Sequence, residues 1–272
     1  MLQGKQMSLF TPEEAAALEN PLVAAAQDTL EQMHHLDSAY AQAVSYHDIF
    51  LQSDWVNREF GGVVQVLDSD TMDAAQRYEK DRPCILNFAS ATNPGGGWLA
   101  GASAQEESIA RRSSLVLSLI GDAMYEKNRD DPTPLYHDDM IYSPRVLALK
   151  TAELAPIPDG ERFEFAAVTA AAVNKHYAGD TPQDMIDACM LNRVRKVLDI
   201  MHVNGHKTII LGAWGCGAFG QDVHRVAEYF YRVLFEEGAA PCFTNIVFAI
   251  YRDPEKLDVF RQVFAKELAP ES

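Results

Sequence analysis

Cysteine is scarce and scattered in this sequence. Cys84, Cys189, Cys216 and Cys242 are the four among 272 residues. None forms a CxxC pair and no histidine cluster stands beside them at zinc-ligand spacing, so neither a disulfide framework nor a metal site is expected. Of the eight histidines, His34, His35 and His137 have no metal-ligand partner spacing and read as surface residues. No apolar run reaches the ~18 residues that a spanning helix needs. The opening MLQGKQMSLF lacks the basic-then-apolar pattern of a secretory leader. The expectation is a soluble, cytoplasmic protein with no membrane partner and no cofactor. Basic residues are also in short supply: 23 Lys and Arg stand against 39 Asp and Glu, a formal charge of −16. That balance opposes nonspecific attachment to nucleic acid, so no direct DNA binding is expected. A polyanion can still be held locally, by backbone N–H groups or a helix N-terminus.

Repeats, low-complexity linkers and a convincing second core are absent as well, while a hydrophobic content of 47% supports one full-sized core. Thr11-Pro12-Glu13-Glu14 reads as an N-cap, a proline at the first helical position and a capping-box glutamate, and a second helical run follows from about Leu22 to His34. From Val63 onward short apolar runs alternate with amphipathic segments. Residues 63–67, 84–88, 146–149, 163–169, 208–211 and 246–250 read as strands. Helices are expected at 71–79, 104–120, 183–203, 222–236 and 254–267, and the Asp- and Pro-rich residues 127–142 as an ordered surface excursion. This alternation predicts an α/β protein, a three-layer α/β/α sandwich. Residues 1–60 form an N-terminal helical extension and 61–272 the main domain.

The strand ending at Phe88 runs into Ala89-Ser90-Ala91-Thr92-Asn93-Pro94-Gly95-Gly96-Gly97-Trp98. Open α/β sheets place ligands at the carboxyl ends of their strands. Three successive glycines allow positive φ and close backbone approach; on their own they equally describe a flexible turn. Gln105-Glu106-Glu107 follows at an expected helix start, with Ser103 as a cap and Glu106 completing a capping box. Acidic residues in a first helical turn are ordinary by themselves. Here a glycine loop leads directly into paired carboxylates on one strand-to-helix connection. That combination points to chemistry.

A second loop, Gly212-Ala213-Trp214-Gly215-Cys216-Gly217-Ala218-Phe219-Gly220-Gln221-Asp222, joins the 208–211 strand to the next helix. Strand, glycine loop and helix present N–H groups to a phosphate, but neither Rossmann spacing nor a Walker lysine is present. Cys216 at a helix start invites a nucleophile reading. It has no paired base nearby, since His224 lies on the following helix, and the phosphate-loop reading is the stronger.

The stretch Leu86 to Arg112, with NPGGGW, AQEES and ARRS, resembles the microbial branch of the poly(ADP-ribose) glycohydrolase family, whose signature is GGG, six to eight residues, then QEE. Trp98 through Ala104 supplies seven. The resemblance implies a macrodomain with a mixed central sheet. It implies Glu107 as the catalytic acid/base, Glu106 holding ribose hydroxyls and Gln105 fixing the loop. It also implies that LGAWGCGAFG wraps the diphosphate of ADP-ribose. There Gly215 and Gly217 provide close approach, Cys216 and Ala218 main-chain donors, and Phe219 a surface against the distal ribose. Asn93 either contacts ribose or bends the chain before Pro94. Residues 169–174 are expected near the adenine pocket, and Arg111 and Arg112 serve phosphate or, as their helix position favours, salt bridges. The implied activity is hydrolysis of the ribose–ribose bond of ADP-ribose polymer, exo-acting and releasing ADP-ribose. The chemistry fits, because an oxocarbenium-like transition state needs a proton for the departing oxygen and a negative group nearby. ADP-ribose binding without turnover, and cleavage of mono-ADP-ribosyl linkages on protein or nucleobase, use the same fold. The expected partners are ADP-ribose, poly(ADP-ribose) and ADP-ribosylated protein.

Overall fold

The computed structural model describes residues 20–47, 55 and 59–268. The helix start expected at Thr11-Pro12 lies outside the described residues. In chain order the elements are α1 (Pro21–Met33), β1 (Val44–Tyr46), β2 (Val63–Asp68), α2 (Thr71–Arg77), β3 (Cys84–Phe88), α3 (Gln105–Arg112) and α4 (Ala123–Asp130). Then follow β4 (Met140–Leu147), β5 (Glu164–Ala170), α5 (Gln183–Val203), β6 (Thr208–Leu211), α6 (Val223–Tyr231), β7 (Asn245–Ile250) and α7 (Pro254–Val263).

The strands form one mixed sheet in the order β1-β4-β5-β3-β6-β7-β2. β4 runs antiparallel to both its neighbours, while β5, β3, β6, β7 and β2 are mutually parallel. All five parallel strands therefore end on the same edge. Alternate strand residues feed two cores, as a period of two requires. Leu86, Val168, Leu211 and Phe248 pack with α5, α6 and α7; Ile85, Ala167, Ile210 and Val247 pack with α2, α3 and α4. The sandwich has the three layers the alternation predicts.

Several local readings change. The single helix expected at 104–120 ends at Arg112, because Ser113 is extended and bridges Ala148; a 3-10 turn, Leu115–Ser118, follows. The stretch read as a surface excursion contains the end of α4 and the start of β4. Asp122 caps α4 by accepting from the Met124 N–H at 2.8 Å. The first sixty residues contribute a strand, β1, as well as a helix.

α1 makes a further layer outside α3. It buries Val23, Ala26 and Met33 on one stripe, packed with Trp98, Ala110, Val116 and Leu149. The polar part of that contact is deeper. Lys150 is 2% exposed, and its Nζ donates to Ala25 O at 3.0 Å and to the Thr29 hydroxyl and pairs with Asp28 at 2.6 Å. Thr29 Oγ1 in turn donates to Arg111 O at 2.5 Å, tying α1 to the end of α3. Truncation of Lys150 leaves a cavity and unpaired α1 groups. Lys150→Ala should lower the urea-unfolding free energy by roughly 2–4 kcal/mol and expose α1 to limited proteolysis; an unchanged midpoint would show that the apolar stripe alone docks the helix.

Candidate active site

A cleft of about 440 Å³ opens at the carboxyl edge of the parallel strands. Its wall is built from the ends of β2, β3, β6 and β7 with the start of α3, and includes Gln105, Glu106, Glu107 and Gly215 through Phe219.

The sheet makes room for α3 by opening between β3 and β6. β3 pairs with β6 only at Cys84 and Ile85, whereas its pairing with β5 continues to Phe88. Pro83 O and the Ala89 N–H bond to β5, so by alternation the backbone groups of Leu86 and Phe88 face the β6 side. The Gln105 side chain takes them. Its Oε1 accepts from the Phe88 N–H at 2.9 Å and its Nε2 donates to Leu86 O at 2.9 Å and Thr71 Oγ1 at 3.0 Å. A single side-chain amide thus stands in for a strand partner and fixes the start of α3 against the sheet.

The capping box expected from Ser103 and Glu106 does not form. Ala104 is the N-cap residue and offers no side-chain bond. Glu106 instead turns inward and is 3% exposed; its Oε2 accepts from the Ser90 N–H at 2.6 Å and its Oε1 from Asn87 Nδ2 at 3.3 Å. Asn87 also donates to Thr169 Oγ1 at 3.3 Å. Its Oδ1 is buried without a partner among the described residues. Turned over, this amide can face a protonated Glu106 as an acceptor. Burial raises the Glu106 carboxyl to about 8; the neighbouring Glu107 adds to the rise, while the Ser90, Asn87 and Gly95 donors oppose it.

Glu107 is held differently. Its Oε1 accepts from the Gly97 N–H at 3.0 Å, and its Oε2 is buried with no partner among the described residues. The glycine run explains how a backbone N–H comes so close. Gly95 and Gly96 adopt φ of 74° and 59°, the left-handed region that glycine tolerates best. A Cβ on Gly96 would collide with Glu107 Oε1 and lie 3.1 Å from Glu106 Oε2. A Cβ on Gly95 would lie 2.8 Å from Trp98 Cδ1. Asn93, Gly95, Gly96 and Gly97 are not among the residues lining the cleft. In this structure the triplet's close approach is to the paired glutamates, because their carboxyls fill the space a side chain would need. Asn93 bends the chain, its N–H bonded to Ser90 Oγ at 3.1 Å and its carbonyl accepting from Gly96 N at 3.0 Å.

The two arginines after QEE divide. Arg112 ion-pairs with Asp70 at 2.9 Å and Asp73 at 2.7 Å, as its helix position favours. Arg111 makes no such pair among the described residues. It is 2% exposed and donates to Trp98 O at 3.2 Å and Ala102 O at 2.5 Å, bracing the segment between the glycine triplet and α3.

The second loop is shaped from within. Gly215, at φ 79°, has Ala172 Cβ and Gln221 Cγ within 2.9 Å of where a Cβ would stand. Gly217 has nothing within 4 Å, so its lack of a side chain is not a packing requirement. Among the described residues no acceptor takes the N–H groups of Gly215, Gly217, Ala218 or Phe219. These four donors border the cleft as a nest for an anion. Burial pushes the Cys216 thiol up to about 12, which removes it as a thiolate nucleophile at neutral pH. Ala172 lines the cleft, while Thr169, expected near it, serves Asn87.

Sequence reasoning gave no roles to Thr71 and Ser90. Asn87 was missed as well, although a polar residue inside the buried run CILNF was the available signal. Lys256 and Asp253, paired with each other, also line the cleft. Among the described residues no group of three or more His, Cys, Asp or Glu is placed to hold a metal, and no helix is long and apolar enough to cross a membrane.

Residues 16–151 match the family described as microbial-type PARG, catalytic domain. Among solved structures the chain is similar to poly(ADP-ribose) glycohydrolase from Thermomonospora curvata, at 31% identity and a TM-score of 0.80, covering 89% of this chain and 99% of that one. The same enzyme bound to the inhibitor ADP-HPD matches at 30% identity and a TM-score of 0.79, over 89% and 98% of the two chains. The poly(ADP-ribose) glycohydrolase from Deinococcus radiodurans in complex with ADP-ribose matches at 33% identity and 0.70, over 76% and 86%. No curated protein sequence matches significantly.

The raised Glu106 carboxyl has a sign that can be measured. An unfolded glutamate titrates near 4.5, whereas the native carboxyl holds its proton to about 8. Between these values the native state binds the extra proton, so stability falls as pH rises, at ~1.4 kcal/mol per pH unit. Removal of the titration by Glu106→Gln should flatten this loss. Unfolding free energies should shift in favour of the variant, relative to wild type, by roughly 3 kcal/mol between pH 4.5 and pH 7; parallel pH profiles would show that the buried carboxyl is already ionised.

Proposed function

The chain belongs to the microbial-type poly(ADP-ribose) glycohydrolases, and from that premise we propose that it hydrolyses the ribose–ribose O-glycosidic bond of ADP-ribose polymer with Glu107 as acid and base. The observation that carries this reading is the asymmetric hold on Glu107: Oε1 is fixed by the Gly97 N–H, and Oε2 is left without a protein partner among the described residues. A carboxyl fixed at one oxygen presents the other in a defined place.

In the proposed reaction Glu107 gives its proton to the departing ribose oxygen as the bond to the anomeric carbon breaks. The resulting carboxylate faces the developing oxocarbenium charge, then takes a proton from the water that attacks that carbon. The products are ADP-ribose and a polymer shortened by one unit with a restored hydroxyl. Glu106 holds ribose hydroxyls. Its elevated proton affinity keeps a second formal charge away from Glu107 at neutral pH.

The N–H groups of Gly215, Gly217, Ala218 and Phe219 take the diphosphate, while that of Cys216, expected as a donor, is bonded to Ala213 O at 3.1 Å; Phe219 faces the distal ribose. Backbone donors suit a chain of charge −16, since they attract phosphate without a lysine-rich surface. The reading includes exo-action, ADP-ribosylated protein as the carrier of the polymer, and a cytoplasmic location. It also divides the chain into a catalytic part, 61–272, and an N-terminal extension, 1–60, whose α1 packs against α3.

Substitution of Glu107 by Gln keeps shape and removes the proton. Release of ADP-ribose from polymer by Glu107→Gln should fall by at least about a hundredfold, with ADP-ribose affinity by calorimetry retained. Turnover near the wild-type rate would reject Glu107. Parallel incubation of wild type with polymer and with mono-ADP-ribosylated protein, resolved by mass, separates polymer hydrolysis from cleavage of protein linkages, and oligomeric products would reject exo-action.

A further inference from the structure

Phe219 is not an isolated aromatic at the cleft. Its ring centroid lies 6.3 Å from that of Tyr136, which lies 6.5 Å from that of Tyr177. The row runs outward from the cleft wall to a fully open ring, since Tyr177 is 70% exposed. A single exposed aromatic is ordinary. This one is built in. The segment bearing Tyr177 is tied to the second glycine loop by the Lys175 N–H, which donates to Phe219 O at 2.9 Å.

Tyr136 is held more firmly still. It adopts φ of 63°, uncommon for a bulky residue, and such backbone persists where its surroundings enforce it. The enforcing group is Arg193, 1% exposed, whose Nη2 donates to the carbonyls of Leu135 at 2.6 Å and Tyr136 at 3.1 Å while its Nε bonds Asp138 at 2.6 Å. A buried guanidinium thus fixes an aromatic loop beside the cleft. Lys175 puts a cationic residue on the segment bearing Tyr177, two residues before it, in an otherwise acidic chain.

We propose that Tyr136 and Tyr177 form a second subsite, a stacking platform for the adenine of the ADP-ribosyl unit on the leaving side of the scissile bond, with Lys175 beside that unit's diphosphate. The proposal rests on the polymer-hydrolase reading and extends it beyond the terminal unit. Its chemistry is specific. Each polymer unit carries an adenine, and a base stacked on an aromatic ring gains about 1–3 kcal/mol. The row begins at Phe219, the residue assigned to the distal ribose, and leads from it to an exposed ring. The platform favours polymer over an ADP-ribosyl group attached to a protein side chain, which presents no second adenine.

Steady-state hydrolysis of poly(ADP-ribose) by wild type, Tyr177→Ala and Tyr177→Phe, alongside calorimetry with ADP-ribose, tests this. Tyr177→Ala should lower kcat/KM on polymer roughly tenfold, mainly through KM. Tyr177→Phe should restore it, and ADP-ribose affinity should be the same in all three. Unchanged polymer kinetics in Tyr177→Ala would overturn the subsite, as would an equal loss in Tyr177→Phe. A matching loss of ADP-ribose affinity would overturn it too, by placing Tyr177 in the terminal-unit site. Wild-type protein inert on polymer would instead reject the underlying reading, and the subsite with it.

Discussion

The active end of this molecule depends on the absence of one carbon atom. The carboxyls of Glu106 and Glu107 occupy the volume where a Cβ of residue 96 would stand, and only because Gly96 has none can the loop fold down onto them. That closeness brings the Gly97 N–H within 3.0 Å of Glu107 Oε1. The triplet's conformational freedom matters for the same reason. Gly95 and Gly96 turn the chain through positive φ so that the next N–H points at the carboxylate instead of away from it.

The other contacts around the site hold this one in register. Gln105 binds the helix start to the opened edge of β3, Arg111 braces the residues between triplet and helix, and α1 closes over the outside through Trp98 and the Lys150 cluster. The two neighbouring glutamates then meet different surroundings. Glu106 is enclosed and bonded to Ser90 and Asn87, and burial favours its protonated form; Glu107 keeps one oxygen uncommitted. Two adjacent residues of one type are separated in role by where the first turn of α3 directs them.

Much of this was legible in the chain. Short, mainly apolar runs such as CILNF and TIIL located the parallel strands to within a residue or two, and the spacing from GGG to QEE located the site. The triplet's contact with the glutamates was not legible, because they lie ten residues onward and only the turn brings them back. Ser113 ended the expected long helix by bridging Ala148, a partner 35 residues away whose pull leaves no local trace. β1 is three residues long and takes its identity from β4. Nothing in the sequence marks Lys150, yet it is buried under α1, more than a hundred residues earlier in the chain. Asn87 was the clearest missed clue, a polar residue in the middle of a fully buried strand.

In the proposed reaction, turnover requires the glycine loop to close on the paired carboxyls. Gly96→Ala adds one methyl group at that contact and leaves every charged and hydrogen-bonding side chain in place. Single-turnover release of ADP-ribose from polymer should then fall by at least about a hundredfold, with ADP-ribose affinity within a few-fold of wild type because the second loop is untouched. Release at the wild-type rate would contradict the claim.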